Sequence, residues 1–128
     1  MQTDELRELL DQPALAEDRL AKWGLEDPRR GHANLTSMAA AGLTLDLLEN
    51  ICGQLAEHLP RVSDPDRALN NLERFVQAAR NPLSLGSLFE RDRSALPILL
   101  QIFATSQHLS DLLVLDQESY DLLRITEG

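Results

Sequence analysis

The stretch Thr44-Leu45-Asp46-Leu47-Leu48-Glu49-Asn50-Ile51-Cys52-Gly53-Gln54-Leu55-Ala56-Glu57-His58-Leu59-Pro60 decides the fold. Its apolar residues Leu48, Ile51, Cys52, Leu55 and Leu59 keep i, i+3, i+4, i+7 order, which lines one face of an α-helix and cannot line one face of a strand. Thr44 can accept a first-turn amide, and Pro60 has no N–H with which to continue. The segment therefore predicts a long amphipathic helix running to Pro60.

Towards the C-terminus the same devices recur. Ser63-Asp64-Pro65 is a cap followed by a proline at the first helical position, where no hydrogen bond is lost. Leu69, Leu72, Phe75, Val76 and Ala79 then form the buried stripe of a helix ending near Asn81-Pro82, with Arg67, Arg74 and Arg80 towards solvent. Three shorter helices follow, capped by Ser84, Ser94 and Ser106, with buried stripes Leu96-Leu99-Leu100-Phe103 and Leu109-Leu112-Leu113. Pro97 falls in a first turn, where it is tolerated. Asp116 can cap a last helix carrying Tyr120, Leu122 and Leu123.

Towards the N-terminus, Leu6, Leu9 and Leu10 and then Leu15, Leu20 and Trp23 give two short helices separated at Pro13. Trp23-Gly24-Leu25 reads as a stop, because glycine takes the left-handed conformation without steric cost. Asp27-Pro28 caps and restarts a helix to about Ala40. Asp27-Pro28 with Arg30, Asn34 and Leu35 matches Asp64-Pro65 with Arg67, Asn71 and Leu72 at an offset of 37 residues. Stacked helical repeats need about three copies, so shared capping chemistry is the preferred reading of this echo.

Composition agrees with helices. Aromatics are 4%, and leucine, alanine, glutamate and arginine outweigh the β-branched residues that favour sheet. At 128 residues the chain is long enough to close one core without disulfides. The expected fold is all-α, a compact multi-helix bundle of about seven to nine short-to-medium helices. It forms a single domain over residues 1–128, of which 1–62 is the less characteristic half and 63–128 the more characteristic one.

The net charge of −9 repels phosphate backbones and anionic lipid heads, so neither nucleic acid nor membrane is an expected partner. No run approaches the roughly 20 apolar residues that span a bilayer, and the acidic start lacks an export signal. The single cysteine, Cys52, cannot form an internal disulfide; a soluble chain in the reducing cytoplasm fits these features.

No catalytic constellation emerges. Metal-dependent nucleotidyl transfer needs paired carboxylates after a glycine-serine turn, and the only DxD string is Asp64-Pro65-Asp66, whose first aspartate reads as a helix cap. Gly86-Ser87 is followed by no such pair and lies in the apolar stripe of Leu85, Leu88 and Phe89. His32, His58 and His108 lack the spacing that puts two imidazoles on one helix face. Cys52 reads as a core residue, and Ser106 and His108 point in different directions. Trp23 and Tyr120 could anchor a partner, but burial against their own helices is the preferred reading. Catalytic, cofactor-binding and metal-ligating residues are accordingly expected to number none.

Asp66-Arg67-Ala68-Leu69-Asn70-Asn71-Leu72-Glu73-Arg74-Phe75, then Phe89-Glu90-Arg91-Asp92 and Leu96-Pro97, resemble the helical region that opens a half of a glutamine synthetase adenylyltransferase. Phe103-Ala104-Thr105-Ser106-Gln107-His108-Leu109-Ser110-Asp111-Leu112-Leu113 and Tyr120-Asp121-Leu122-Leu123 continue the likeness, which covers about residues 63–125. Asp116-Gln117 departs from it, since the family usually has a proline there. The two nucleotidyltransferase halves of that family, with their glycine-rich turns and paired aspartates, are not in this sequence, so no catalytic residue carries over.

The resemblance implies the N-terminal helical portion of a protein that transfers AMP from ATP to a tyrosine of glutamine synthetase and removes it again. ATP and magnesium would then serve a core outside this segment, and glutamine synthetase and a PII-type signal protein would be partners. Arg91 and His108, which flank the family-like stretches, are the candidate partner-surface residues. The alternative is a stand-alone helical interaction module without catalytic activity.

Overall fold

Prolines and side-chain caps divide the chain into helices close to where the sequence places them. The computed structural model describes residues 3–116, and among them are eight α-helices and no strand. They are α1 (Thr3–Asp11), α2 (Pro13–Ala21), α3 (Pro28–Ala40), α4 (Leu45–His58), α5 (Pro65–Ala78), α6 (Pro82–Arg91), α7 (Ala95–Thr105) and α8 (Gln107–Leu115). A 3₁₀ turn, Leu59–Arg61, follows α4. No helix among the described residues is long and apolar enough to cross a membrane. The expected helix after Asp116, with Tyr120, Leu122 and Leu123, lies outside the described residues.

Asp27, Thr44, Asp64 and Ser106 all act as caps, accepting from the amides of Arg30, Leu47, Arg67 and Leu109 respectively. Gly24 adopts φ +90°, and a Cβ there would stand 3.3 Å from Pro65 Cγ, so the turn needs glycine for both conformation and space. Leu48, Ile51, Cys52, Leu55 and Leu59 are all buried, as the deciding stretch requires.

Two expected caps are different. Pro82 fixes the start of α6, so Asn81 becomes its cap and accepts from the amide of Ser84 at 3.2 Å. Ser94 makes no cap bond. Its backbone is already helical, and Asp92 accepts both its amide (3.1 Å) and its hydroxyl (2.6 Å).

Packing follows a pattern that local sequence did not settle. α3 lies against α5 and α4 against α6, so two helical pairs stack on one another. α5 then packs against α7 and α8, while α7, apolar nearly all round, also touches α4 and α6. Phe75 of α5 and Phe103 of α7 meet with ring centroids 5.7 Å apart. Such a pair adds about 0.5–1.5 kcal/mol to its burial. At the other end α1 and α2 pack on α3, and α1 also on α4, with ion pairs Arg19–Glu5 and Arg29–Glu17 across the contacts.

The echo at 37 residues is therefore structural. Its two helices are neighbours, and Asn34 and Asn71, the equivalent asparagines, each bond to a residue 36 positions further on. Asn34 Nδ2 donates to Asn70 at 2.6 Å, and Asn71 Nδ2 to Gln107 at 3.3 Å. The caps of α3 and α5 stand at 27 and 64, and those of α4 and α6 at 44 and 81, so both members of each pair repeat at the same interval.

Candidate interaction surface

Two features on the α5, α6 and α8 side are built by this stacking: a polar seam and an apolar groove. Along the seam, Asn71 is buried and donates to the Phe103 carbonyl at 2.9 Å, tying α5 to the end of α7. Arg74 reaches Asp111 at 2.8 Å, and Gln107 donates to the same carboxylate at 2.9 Å. The Arg74 hydrogen bond, then the Gln107 one, hold the Asp111 carboxyl below its ordinary pKa. Between α3 and α5 the matching contacts are Ser37 to Glu73 at 2.7 Å and Gln77 to the Ser37 carbonyl at 2.9 Å.

These bonds set the rotation of α8, and here the sequence expectation fails. Leu109, Leu112 and Leu113 were to form one buried stripe, but Leu109 and Leu112 are 40% and 45% exposed, and only Leu113 is inside. With Gln107 and Asp111 held by α5, the inward face is Ser110 and Leu113 instead. Ser110 can be buried because its hydroxyl donates to the Ser106 carbonyl at 2.7 Å, one turn back.

The groove lies between the ends of α5 and α8 and one side of α6. Ala78, Ala79, Leu85, Leu88, Val114 and Leu115 supply its apolar wall, Arg80, Asn81, Ser84 and Asp116 its rim, and it encloses about 510 Å³. Leu115 is 85% exposed. An apolar concavity with a polar rim suits a helix or an extended segment with apolar anchors.

The sequence candidates fall elsewhere. Arg91 is exposed in the last turn of α6, its Nε 3.4 Å from the Ser87 carbonyl of its own helix. His108 is exposed in the first turn of α8. Neither lines the groove, and no hydrogen bond or ion pair among the described residues joins them. The groove had no signal in local patterning, because it depends on which leucines α8 turns away from the core.

The DxD string has structural employment. Asp64 caps α5, and Asp66 accepts the amides of Glu26 and Asp27 at 2.8 and 2.9 Å, fastening the turn before α3 to the start of α5. With their carboxylates turned to backbone amides, these residues do not fit a magnesium site. Among the described residues no group of three or more His, Cys, Asp or Glu could hold a metal ion. Cys52 is buried, and desolvation pushes its thiol up to about 12, so it packs as a small apolar side chain. His32 Nε2 lies 2.9 Å from the Leu10 carbonyl, a contact between α3 and α1. Trp23 is buried, as its stripe required; Tyr120 lies outside the described residues.

Compared with known proteins, the chain matches no family model, no curated protein and no solved structure.

Proposed function

We propose that this chain is the N-terminal helical portion of a glutamine synthetase adenylyltransferase-like protein, holding a nucleotidyltransferase core and its protein substrate in position. One observation carries the reading. The two stretches with the strongest family resemblance, 66–75 and 103–113, are brought together by their own polar residues, Asn71 to Phe103 and Gln107 and Arg74 to Asp111. A polar seam buried in part among leucines favours one register over its neighbours, a requirement for a rigid support rather than for a generic bundle.

On this reading ATP and magnesium belong to a core outside these 128 residues, and glutamine synthetase and a PII-type protein are the partners. The test is transfer of labelled AMP from ATP to glutamine synthetase by the product of the complete coding sequence. Labelling of a glutamine synthetase tyrosine is the expected result. A complete product that leaves glutamine synthetase unlabelled contradicts the proposal.

The groove favours a second reading, a stand-alone helical interaction module that takes an apolar segment between α6 and α8. A coding sequence that stops near Gly128, together with stable capture of a partner blocked by Leu88→Asp, would select it.

A further inference from the structure

The helices of the stack fall into two rows, α3, α5 and α8 in the first and α4 and α6 in the second. The two ends of this stack differ in chemistry. At one end α1 and α2 pack over α3 and α4, and Asp4, Glu5, Glu8, Asp11 and Asp18 are exposed there. At the α8 end Leu109, Leu112 and Leu115 are 40%, 45% and 85% exposed. Spaced three apart, these leucines share one stripe of the helix, and His108 lies on the same side. Leu115 also belongs to the groove wall, beside Leu85 and Leu88 of α6. A stacked helical array stays apart in water through a polar outer face at its ends, which α1 and α2 supply and α8 does not.

We propose that this α6–α8 face is an interface between two copies of the chain, in which Leu115 of each copy enters the groove of the other and the two α8 stripes meet. Three observations commit the face to that occupant. The first is shape. One patch carries a projecting apolar side chain and, next to it, an apolar concavity of about 510 Å³. A two-fold contact uses such a pair twice, because each copy supplies what the other receives.

The second is charge. The chain carries −9, so two copies repel wherever their acidic surfaces are brought together. The leucine stripe and the groove wall hold no carboxylate, and the rim holds one cation and one anion, Arg80 and Asp116. The face is thus locally balanced on an acidic chain. It lets like copies approach, and it offers no excess of either sign with which to select a charged foreign segment.

The third is that the exposure is held in place. Asn71 donates to Gln107, and Arg74 and Gln107 both donate to Asp111, which fixes the rotation of α8 with Leu109 and Leu112 outward. Leucines held outward need not reorganise before they pack against a partner. Pairing through this face is independent of the adenylyltransferase reading.

The test is sedimentation equilibrium of the full 128-residue chain, where a reversible monomer–dimer equilibrium is expected. Leu115→Asp, at a position too exposed to weaken the fold, should raise the dissociation constant about hundred-fold or more, since the burial of that leucine is lost twice in a two-fold pair. Leu45→Asp, at an exposed leucine in the first turn of α4 outside the patch, should leave the constant unchanged. In a sample of differently labelled molecules, nuclear Overhauser contacts from the Leu115 methyls to those of Leu85 or Leu88 should pass between molecules. A chain that sediments as a monomer up to about 1 mM overturns the proposal. So does a dimer that Leu115→Asp leaves intact, or a set of Leu115 contacts confined to single molecules.

Discussion

The joint between α3 and α5 and the joint between α5 and α8 use the same device and differ in what covers them. Both are held by an asparagine reaching 36 residues along the chain and reinforced by a second polar contact near it, Ser37–Glu73 in the first and Arg74–Asp111 in the second. Over the first joint the second row is closed, since Gly86 lets α6 settle onto Leu43 and Leu47. Over the second, α6 ends the described row and leaves Leu85, Leu88 and Leu115 around a groove. The difference teaches that the same polar step recurs at a joint with a second-row helix over it and at one without such a helix among the described residues. Apolar contact is tolerant of small slides; a donor facing its acceptor is not.

The comparison can be broken from several sides. The largest effect belongs to Phe103→Ala, which removes the ring of α7 that Phe75 of α5 packs upon, next to the second joint. It should cost about 3–5 kcal/mol in urea unfolding. Next, Gly86→Leu drives a side chain into Leu47 and should open the cover of the first joint, at about 1–3 kcal/mol. Hydrogen exchange should then rise in α4 and α6 and stay level in α8.

The two asparagines sharpen the contrast. Asn71→Ala leaves the Phe103 carbonyl without its donor in a buried place, so it should cost about 1–3 kcal/mol. Asn34→Ala, whose partner Asn70 is only half-buried, should cost about 1 kcal/mol or less by the same denaturation. An equal cost at both positions would show that burial of the Phe103 carbonyl adds nothing.

The smallest effect is electrostatic. Arg74 and Gln107 lower the Asp111 pKa, so the stability this carboxylate contributes is complete above the ordinary carboxylate range and is lost as pH falls through the folded-state value. Because the pair is exposed, Asp111→Asn should lower the melting temperature only slightly at pH 7, and the gap should narrow as pH falls below the ordinary carboxylate range.

Much of this architecture was legible in the sequence, for a local reason. Caps and prolines act within one turn, so Asp27, Thr44, Asp64 and Ser106 announced their helices, and α3 runs from Pro28 to Ala40 as read. Burial of Cys52 and Trp23 followed from helical spacing in the same way. What lay beyond reach was set by contacts distant in sequence. Ser84 yielded its cap to Asn81 because Pro82 fixed the helix start, and Leu109 and Leu112 turned outward because α5 holds Gln107 and Asp111. The echo of α3 in α5 was visible, but only the side-by-side stacking shows that it repeats contacts as well as caps. The groove follows from the rotation of α8, which explains why Arg91 and His108, chosen for their neighbours in sequence, do not line it.

The most direct test of in-register stacking is a pair of double-mutant cycles, Asn34 with Asn70 and Asn71 with Gln107, each position changed to alanine singly and together and followed by urea denaturation. Repeated polar joints predict a favourable coupling in both cycles, about 0.5–3 kcal/mol. Additive behaviour in either cycle, within about 0.3 kcal/mol, would contradict the account, because the repeated asparagine bond would then contribute nothing to holding that joint.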